Sequence, residues 1–424
     1  MAIDPGGALA PPAARRVVRV RRVEGSPVVS LRAWVRGGAR VAAWPGLGLV
    51  AGRLLGEGTR HRDYKRIAED AEARGMALIA FGGFEAHGVA IDALAADWER
   101  AVDWLAELVL EPAFPEERCA FIVRQTQAEL ESLADQADIL TGWAFLEQLY
   151  TPHPFAWPVQ GDAASLARIL PEDCARHHAA GLQRGVVLTA AGAIDEAAIG
   201  ERLEQRFAAL AGAAAPAAEP PSPRGLEAPR REIRTRARDQ AHLYVGHLTV
   251  PRRHSDWAAL DLLSVVLGAG AGLTGRIPMR VREQEGLAYT ALAATTAGAG
   301  ADPGRLVAYV GTAPESVARA ERAVAEEIER LLVDGVEERE VEEARGYLLG
   351  REPFRRETAR QWADLLGESE LFGLPVDRAE WVAAAYAALD RPTVEAAARR
   401  HLDPRRLQTT VGLPSGGEEP ITPS

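Results

Sequence analysis

Cysteine is nearly missing from this sequence: Cys119 and Cys174 are the only two among 424 residues. Two thiols cannot build a disulfide framework or a thiolate zinc site, and both lie in helical-looking apolar contexts. Lysine is scarcer still. Lys65 stands alone among 49 basic residues, a bias of coding rather than of chemistry. Basic excess is absent too: the formal net charge is −11, so a nucleic-acid partner is not expected. No stretch of about 18 apolar residues occurs, so no segment is expected to span a membrane. The N-terminal arginines have no apolar core behind them, unlike those of a secretory signal. The expected compartment is the cytoplasm.

Familiar catalytic patterns are missing as well. None of the nine histidines falls in an HxxxH, HxxEH or HxH spacing. His177 and His178 are adjacent, so on a helix their rings point about 100° apart and do not share a metal. His242 and His247 flank a strand without a carboxylate at ligand spacing. A self-contained metal site is not expected. The glycines of GAGAG, residues 268–272, follow a helix-like run rather than a strand. They lack both the GxGxxG spacing of a dinucleotide loop and the GK[ST] of a P-loop. No GxSxG turn and no Cys/His dyad offers a nucleophile.

What is present is 47% apolar and 26% charged, the balance of a globular protein, at a length that asks for two or more domains. Residues 212–230, GAAAPAAEPPSPRGLEAPR, are rich in Pro and Ala and read as a semi-extended linker. They divide the chain into an N-terminal domain, 1–211, and a C-terminal domain, 231–424. In the first, periodicity predicts strands at 17–23 and 28–35, a helix at 46–57, and strands at 76–80 and 89–91. Amphipathic helices at 97–110 and 115–132 follow, then a buried strand at 185–191 and a closing helix at 195–210. The second repeats the order: strand 241–249, helix 257–267, strand 306–311, helices 317–333 and 338–351, strand 407–412. The predicted fold class is α+β, with two similar domains, each a mainly antiparallel sheet with helices packed on one face.

One stretch stands out: LGAGAGLTGRIPMRVREQEGLAYT, residues 267–290. A glycine-rich bend leads into a short Arg-rich helix, in which Pro278 fits only within the first turn. Arg282 then lies near the helix end, and Tyr289 opens a strand just past the Glu285-Gly286 break. Two long hydrogen-bond donors seven residues apart can converge on one point. On pattern alone, such a pair at a helix–strand corner is more often ordinary surface and core.

The stretch resembles the second-domain signature of the pitrilysin, insulinase and mitochondrial processing peptidase family of zinc peptidases. That signature is a Gly-rich loop, an SRL-type helix, and an Arg and Tyr in the context R-x-x-x-G-L-A-Y. Arg276 stands at the SRL arginine, and Arg282 and Tyr289 at the pair. The resemblance makes Gly268, Gly270, Gly272 and Arg276 a substrate-binding loop. QAHLYVGHLTV, residues 240–250, is similar to the preceding strand. In the first half PGLGLVAGRLLGEGT, residues 45–59, is similar to the family's PGLAHxxEHxxFxGT. The likeness continues through LEPAFPEE (110–117), the loop at 153–161 and PEDCARHHAA (171–180). It covers almost the whole chain in one order, and implies the clam-like, two-domain fold of LuxS and mitochondrial processing peptidase-like metallohydrolases.

The departure is as informative as the match. The family's zinc motif needs two histidines with a glutamate between them as general base. This chain has Leu49, Gly52 and Arg53 there, with Glu129 near the place of the third ligand. One carboxylate without its imidazoles does not hold Zn²⁺, and the Arg53 charge repels it. The resemblance therefore implies a non-catalytic subunit with no metal or cofactor of its own. Zinc would reside in a homologous partner chain, an extended peptide would be the substrate, and Arg282 and Tyr289 would bind its scissile carbonyl and oxyanion in trans. In the family the peptide adds as a strand to the zinc domain's sheet edge; the corresponding edge here, residues 78–84, carries Gly82-Gly83. The alternative is a catalytically silent scaffold of the same fold, which has no need of an Arg–Tyr pair.

Overall fold

Strict alternation builds β2 (Val28–Arg36). Val29, Leu31, Ala33 and Val35 are fully buried on one face, and Ser30, Arg32 and Trp34 turn to the other. The computed structural model describes residues 15–214, 219–223, 225–236, 240–270, 275–375 and 378–414. Its first half runs β1 (Arg16–Arg22), β2, α1 (Leu47–Leu54), α2 (Tyr64–Glu72), β3 (Ala77–Gly82), β4 (Ala86–Leu94), α3 (Trp98–Leu110), α4 (Glu116–Ala134), α5 (Ala137–Tyr150), α6 (Ala163–Leu166), α7 (Pro171–Arg184), β5 (Val186–Gly192) and α8 (Glu196–Arg206). The second runs β6 (Arg230–Arg236), β7 (Ala241–Leu248), α9 (Trp257–Ser264), α10 (Arg276–Pro278), β8 (Ala288–Ala297), β9 (Arg305–Thr312), α11 (Val317–Asp334), α12 (Glu338–Arg351), α13 (Ala359–Leu371), α14 (Arg378–Ala387), α15 (Arg391–His401) and β10 (Gln408–Pro414).

The two sheets have the same topology, β1-β5-β2-β4-β3 and β6-β10-β7-β9-β8. In each, the outer pair is parallel, β1 with β5 and β6 with β10, and the remaining pairs are antiparallel. The fold is α+β, repeated twice. One edge of each sheet is arginine-rich (RVVRVRR in β1, RREIRTR in β6), which discourages further pairing. The opposite edges, β3 and β8, carry no charge at all.

Helices cover the inner faces. On α3, Val102, Leu105, Leu108 and Val109 fall at helical spacing and join Ile199 and Leu203 of α8 against β2 and β4. The helix stops at Leu110, two residues before Pro112, which cannot continue it. In the second half Val317, Ala320, Val324, Ile328 and Leu331 of α11 do the same against β7 and β9. Each such Val, Leu or Ile side chain contributes about 1.5–3 kcal/mol of burial.

The outer faces are covered by exchange. Helix α13, from the second half, lies on β2 and β5 of the first. There Arg32 donates to Asp364 (2.8 Å), Thr189 donates to the Ala363 carbonyl (2.9 Å), and Trp34 packs against Gly367, where any side chain would collide with the indole. Helix α5, from the first half, lies on β10 and β7 of the second. Tyr244 donates to the Asp138 carbonyl (3.1 Å), Thr410 donates to Gln148 (2.8 Å), and Gly412 makes room for Thr141. The two helices hold equivalent places in the repeat.

Candidate functional site

Helix α1 carries the positions where the family resemblance calls for metal ligands. Leu49 and Gly52 are buried. Arg53 points its guanidinium at Glu129 of α4 as a two-pronged fork, with Nη1 to Oε1 at 3.0 Å and Nη2 to Oε2 at 2.9 Å. Nη1 also donates to the Thr126 hydroxyl at 3.1 Å. A planar guanidinium matches a carboxylate in this geometry better than any other side chain does. The helix is also pressed onto the edge strand. A Cβ at Gly52 would lie 2.2 Å from the Phe81 carbonyl oxygen, and one at Gly82 would lie 2.5 Å from the Leu49 Cα. These residues do not fit zinc: the two histidine positions hold Leu49 and Arg53, the remaining carboxylate is bound to Arg53, and a glutamate has no room at residue 52.

The Arg–Tyr pair sits at the edge of the second sheet. Past α10 the hydrogen bonds widen to five-residue spacing, as in Glu285 N–H to the Arg280 carbonyl (3.0 Å), so residues 279–284 form a π-helical turn. Arg280 bonds Glu285 at the end of this turn (2.9 Å) and ties the turn to α11 through Glu327 (3.0 Å) and Glu326. Gly286, at φ 62°, makes the break. In the pairing of β8 with β9, Ala288 faces Thr312 and Thr290 faces Gly311, which leaves Tyr289 as the extra residue of a β-bulge. Bulges re-aim side chains, and here Tyr289 is 81% exposed. The Arg282 guanidinium lies 5.2 Å from its ring centroid, within cation–π range.

The rest of the glycine-rich stretch is structural where it is described. A Cβ at Gly275 would lie 2.4 Å from the Gly268 Cα, and one at Gly268 would lie 2.9 Å from Pro278 Cδ. The glycines let the two ends of the loop touch. Gly270 is extended, and Gly272 lies outside the described residues. Arg276 turns away to α12, with Nε to Glu340 Oε1 at 2.7 Å and Nη2 to the Gly335 carbonyl at 2.9 Å.

Buried polar clusters brace the first half. His178 Nε2 donates to the Val109 carbonyl (2.7 Å), leaving Nδ1 to accept from His87 Nε2 (3.0 Å). The His177 ring approaches the same His87, with centroids 5.1 Å apart. Burial pushes the His177 and His178 imidazoles down to about 4 and His87 well below its ordinary value. Between the halves, Arg40 donates to Asp302 from Nε (2.6 Å) and Nη2 (3.1 Å), and Glu85 accepts from the Ala301 N–H (3.0 Å). Burial would raise the Asp302 carboxyl, but His153 Nε2, 3.2 Å away, and hydrogen bonds from Arg40 hold it at about 2. Burial wins at Glu85, which is pushed up to about 7 against the pull of Arg40.

The fold thus joins Arg282 to Tyr289 and Arg53 to Glu129, and takes Arg276 elsewhere. It also assembles a group that spacing gave no reason to join: His254 and Asp256, ahead of α9, with His401 at the end of α15. The H-x-D at 254–256 was the local signal. Among the described residues, no helix is long and apolar enough to cross a membrane.

Two like sheets frame these sites, and comparison with known proteins identifies the family. The insulinase (peptidase family M16) profile matches residues 17–152, and the peptidase M16 inactive domain profile matches residues 183–348. An uncharacterized zinc protease of Mycobacterium tuberculosis (strain ATCC 25618 / H37Rv) is 30% identical over 443 residues, covering 99% of this chain and 96% of the relative. The chain belongs to the insulinase family, peptidase family M16, and is an inactive-type member. Helicobacter pylori (strain ATCC 700392 / 26695) has a relative named non-peptidase homolog YmxG, 25% identical, covering 81% of this chain and 79% of the relative. In fold, the chain is similar to the crystal structure of a peptidase M16 inactive domain from Pseudomonas fluorescens. That match has a TM-score of 0.84 at 24% identity and covers 96% of this chain and 97% of that one.

Proposed function

We propose that this chain is the catalytically incomplete subunit of a two-chain zinc endopeptidase, paired with a homologous chain that carries the metal and its glutamate base. The partner's zinc supplies the activated water and polarises the scissile carbonyl. From the facing wall, Tyr289 donates its phenolic O–H to the carbonyl oxygen as negative charge develops. Arg282 steadies the Tyr289 ring and donates to a neighbouring peptide carbonyl. The substrate is an extended peptide.

The observation that carries this reading is the placement of Tyr289. A bulge turns it out of the sheet with the Arg282 guanidinium beside its ring, and a tyrosine 81% exposed is not there to fill a core. A preorganised donor of this kind is worth about 3 kcal/mol in the transition state, or 10²–10³ in rate. The fork between Arg53 and Glu129 supports the other half of the reading, since it occupies the metal's place.

The test is peptidase activity on an unstructured peptide with this chain alone, with its zinc-bearing homologue from the same organism, and with Tyr289→Phe in the mixture. The expected result is activity in the mixture only, falling about 10²–10³-fold with the substitution. Full activity from the homologue alone, indifferent to Tyr289→Phe, replaces this reading with a silent scaffold. The name of the H. pylori relative, non-peptidase homolog, is compatible with that alternative.

A further inference from the structure

The loop ahead of α9 and the last residue of α15 meet at a compact set of donors. His254, Asp256 and His401 each place one ligand atom within 4.8 Å of the other two, although His401 lies 145 residues from Asp256. Asp256 is the residue before α9 and His401 closes α15, and these helices pack together in the second core. All three side chains are part-exposed, so a solvent ligand can complete the set.

We propose that His254, Asp256 and His401 bind a divalent transition metal of borderline softness, zinc first, which staples the start of α9 to the end of α15. Two imidazoles and a carboxylate with one position left for water are a zinc donor set. His401 Nε2 and Asp256 Oδ2 are 2.7 Å apart. With ligand bonds of about 2.0–2.1 Å, donors at that separation subtend roughly 80° at a metal. A small opening therefore seats the ion. The His254 ring stands edge-on to the His401 ring, at 86° with centroids 5.0 Å apart, so the third donor reaches the same space from a different direction. The site is independent of the peptidase reading.

Two features oppose the metal and set the test. The Asp256 N–H is bonded to His254 Nδ1 (3.0 Å), so coordination through Nε2 needs the imidazole proton on Nδ1 and that bond released. Arg400 Nη2 holds the other Asp256 oxygen at 3.0 Å and places a cation beside the ion. Its side chain is 56% exposed, so its removal leaves the core untouched.

The experiment is an equilibrium competition for zinc between the full-length chain and a chromophoric chelator, with far-UV circular dichroism to check each variant's fold. The wild-type chain is expected to take one zinc. His254→Ala and His401→Ala should weaken binding at least tenfold, and Arg400→Ala should strengthen it severalfold. Should a histidine variant fail to fold, the surface change at Arg400 still decides. No uptake by the wild-type chain at micromolar free zinc overturns the proposal, as does uptake unchanged in the histidine variants or unmoved by Arg400→Ala.

Discussion

Arg53 and Glu129 meet side by side, two guanidinium nitrogens on two carboxylate oxygens at 3.0 and 2.9 Å. The carboxylate's charge is thus met by a cation that is part of the chain itself. With both its oxygens held by Arg53, the Glu129 carboxylate acts as a counter-ion.

That pairing is measurable as a coupling. With the two side chains 25% and 34% exposed, the fork is expected to contribute about 1 kcal/mol. Arg53→Ala and Glu129→Ala should each lower the denaturant-derived stability by about that amount, and the double variant by less than their sum. Strict additivity in the cycle would mean that the fork is not formed in solution.

Restoring the zinc motif should fail for a steric reason. Gly52→Ala alone places a Cβ 2.2 Å from the Phe81 carbonyl oxygen and should cost about 1–3 kcal/mol. A chain rebuilt with Leu49→His, Gly52→Glu and Arg53→His should be destabilised further and take up no zinc through those positions. A well-folded rebuilt chain holding a metal there would show that α1 and β3 separate easily.

At the Arg–Tyr corner the expectation is the reverse. Tyr289 is exposed and the Arg282 beside its ring is part-exposed, so Tyr289→Phe and Arg282→Ala should change stability by no more than about 0.5 kcal/mol. A loss of several kcal/mol on thermal or denaturant unfolding would mark Tyr289 as a packing residue, and would remove the ground for reading activity losses as chemistry.

Acid should destabilise the chain below neutrality. His177 and His178 have folded values near 4 against an unfolded value of about 6.5. Their contribution is complete above pH 6.5 and is lost as pH falls toward 4, because the unfolded chain binds those protons first. At pH 5 the loss is roughly 2 kcal/mol for each histidine. Glu85 works the other way: with a folded value of about 7, it gains stability as pH falls toward its unfolded value of about 4.5, by roughly 2 kcal/mol at pH 5. The histidines win. Unfolding free energies at pH 7 and pH 5 should differ by about 2 kcal/mol, and replacing both histidines with glutamine should flatten or invert that slope.

Local pattern carried much of this protein. The alternation in β2, the helical spacing of α3 and α11, and the stop before Pro112 are properties of neighbouring residues, and they were readable as such. The Arg282–Tyr289 spacing was readable too, but the exposure of Tyr289 was not. It depends on a bulge set by pairing with β9, which no residue in β8 announces. Strand β6, RREIRTR, has almost no apolar alternation because it is an edge strand, held by parallel pairing with β10 some 180 residues away. Helices α5 and α13 were hidden for a related reason: their packing partners lie in the other half of the chain. His87 meets His178, and Asp256 meets His401, only once the sheets and helices are in place.

The exchange of α5 and α13 decides how the chain can move. Swinging the halves apart would strip α13 from Trp34 and Thr189 and α5 from Tyr244 and Thr410 at the same time, exposing a sheet face on each side. The two halves therefore do not swing apart freely, and a single cut between them near residue 220 should leave two fragments that stay clasped. Under the proposed pairing, a peptide would reach Tyr289 by way of the seam with the partner chain, and opening that seam would cost an interface rather than a fold.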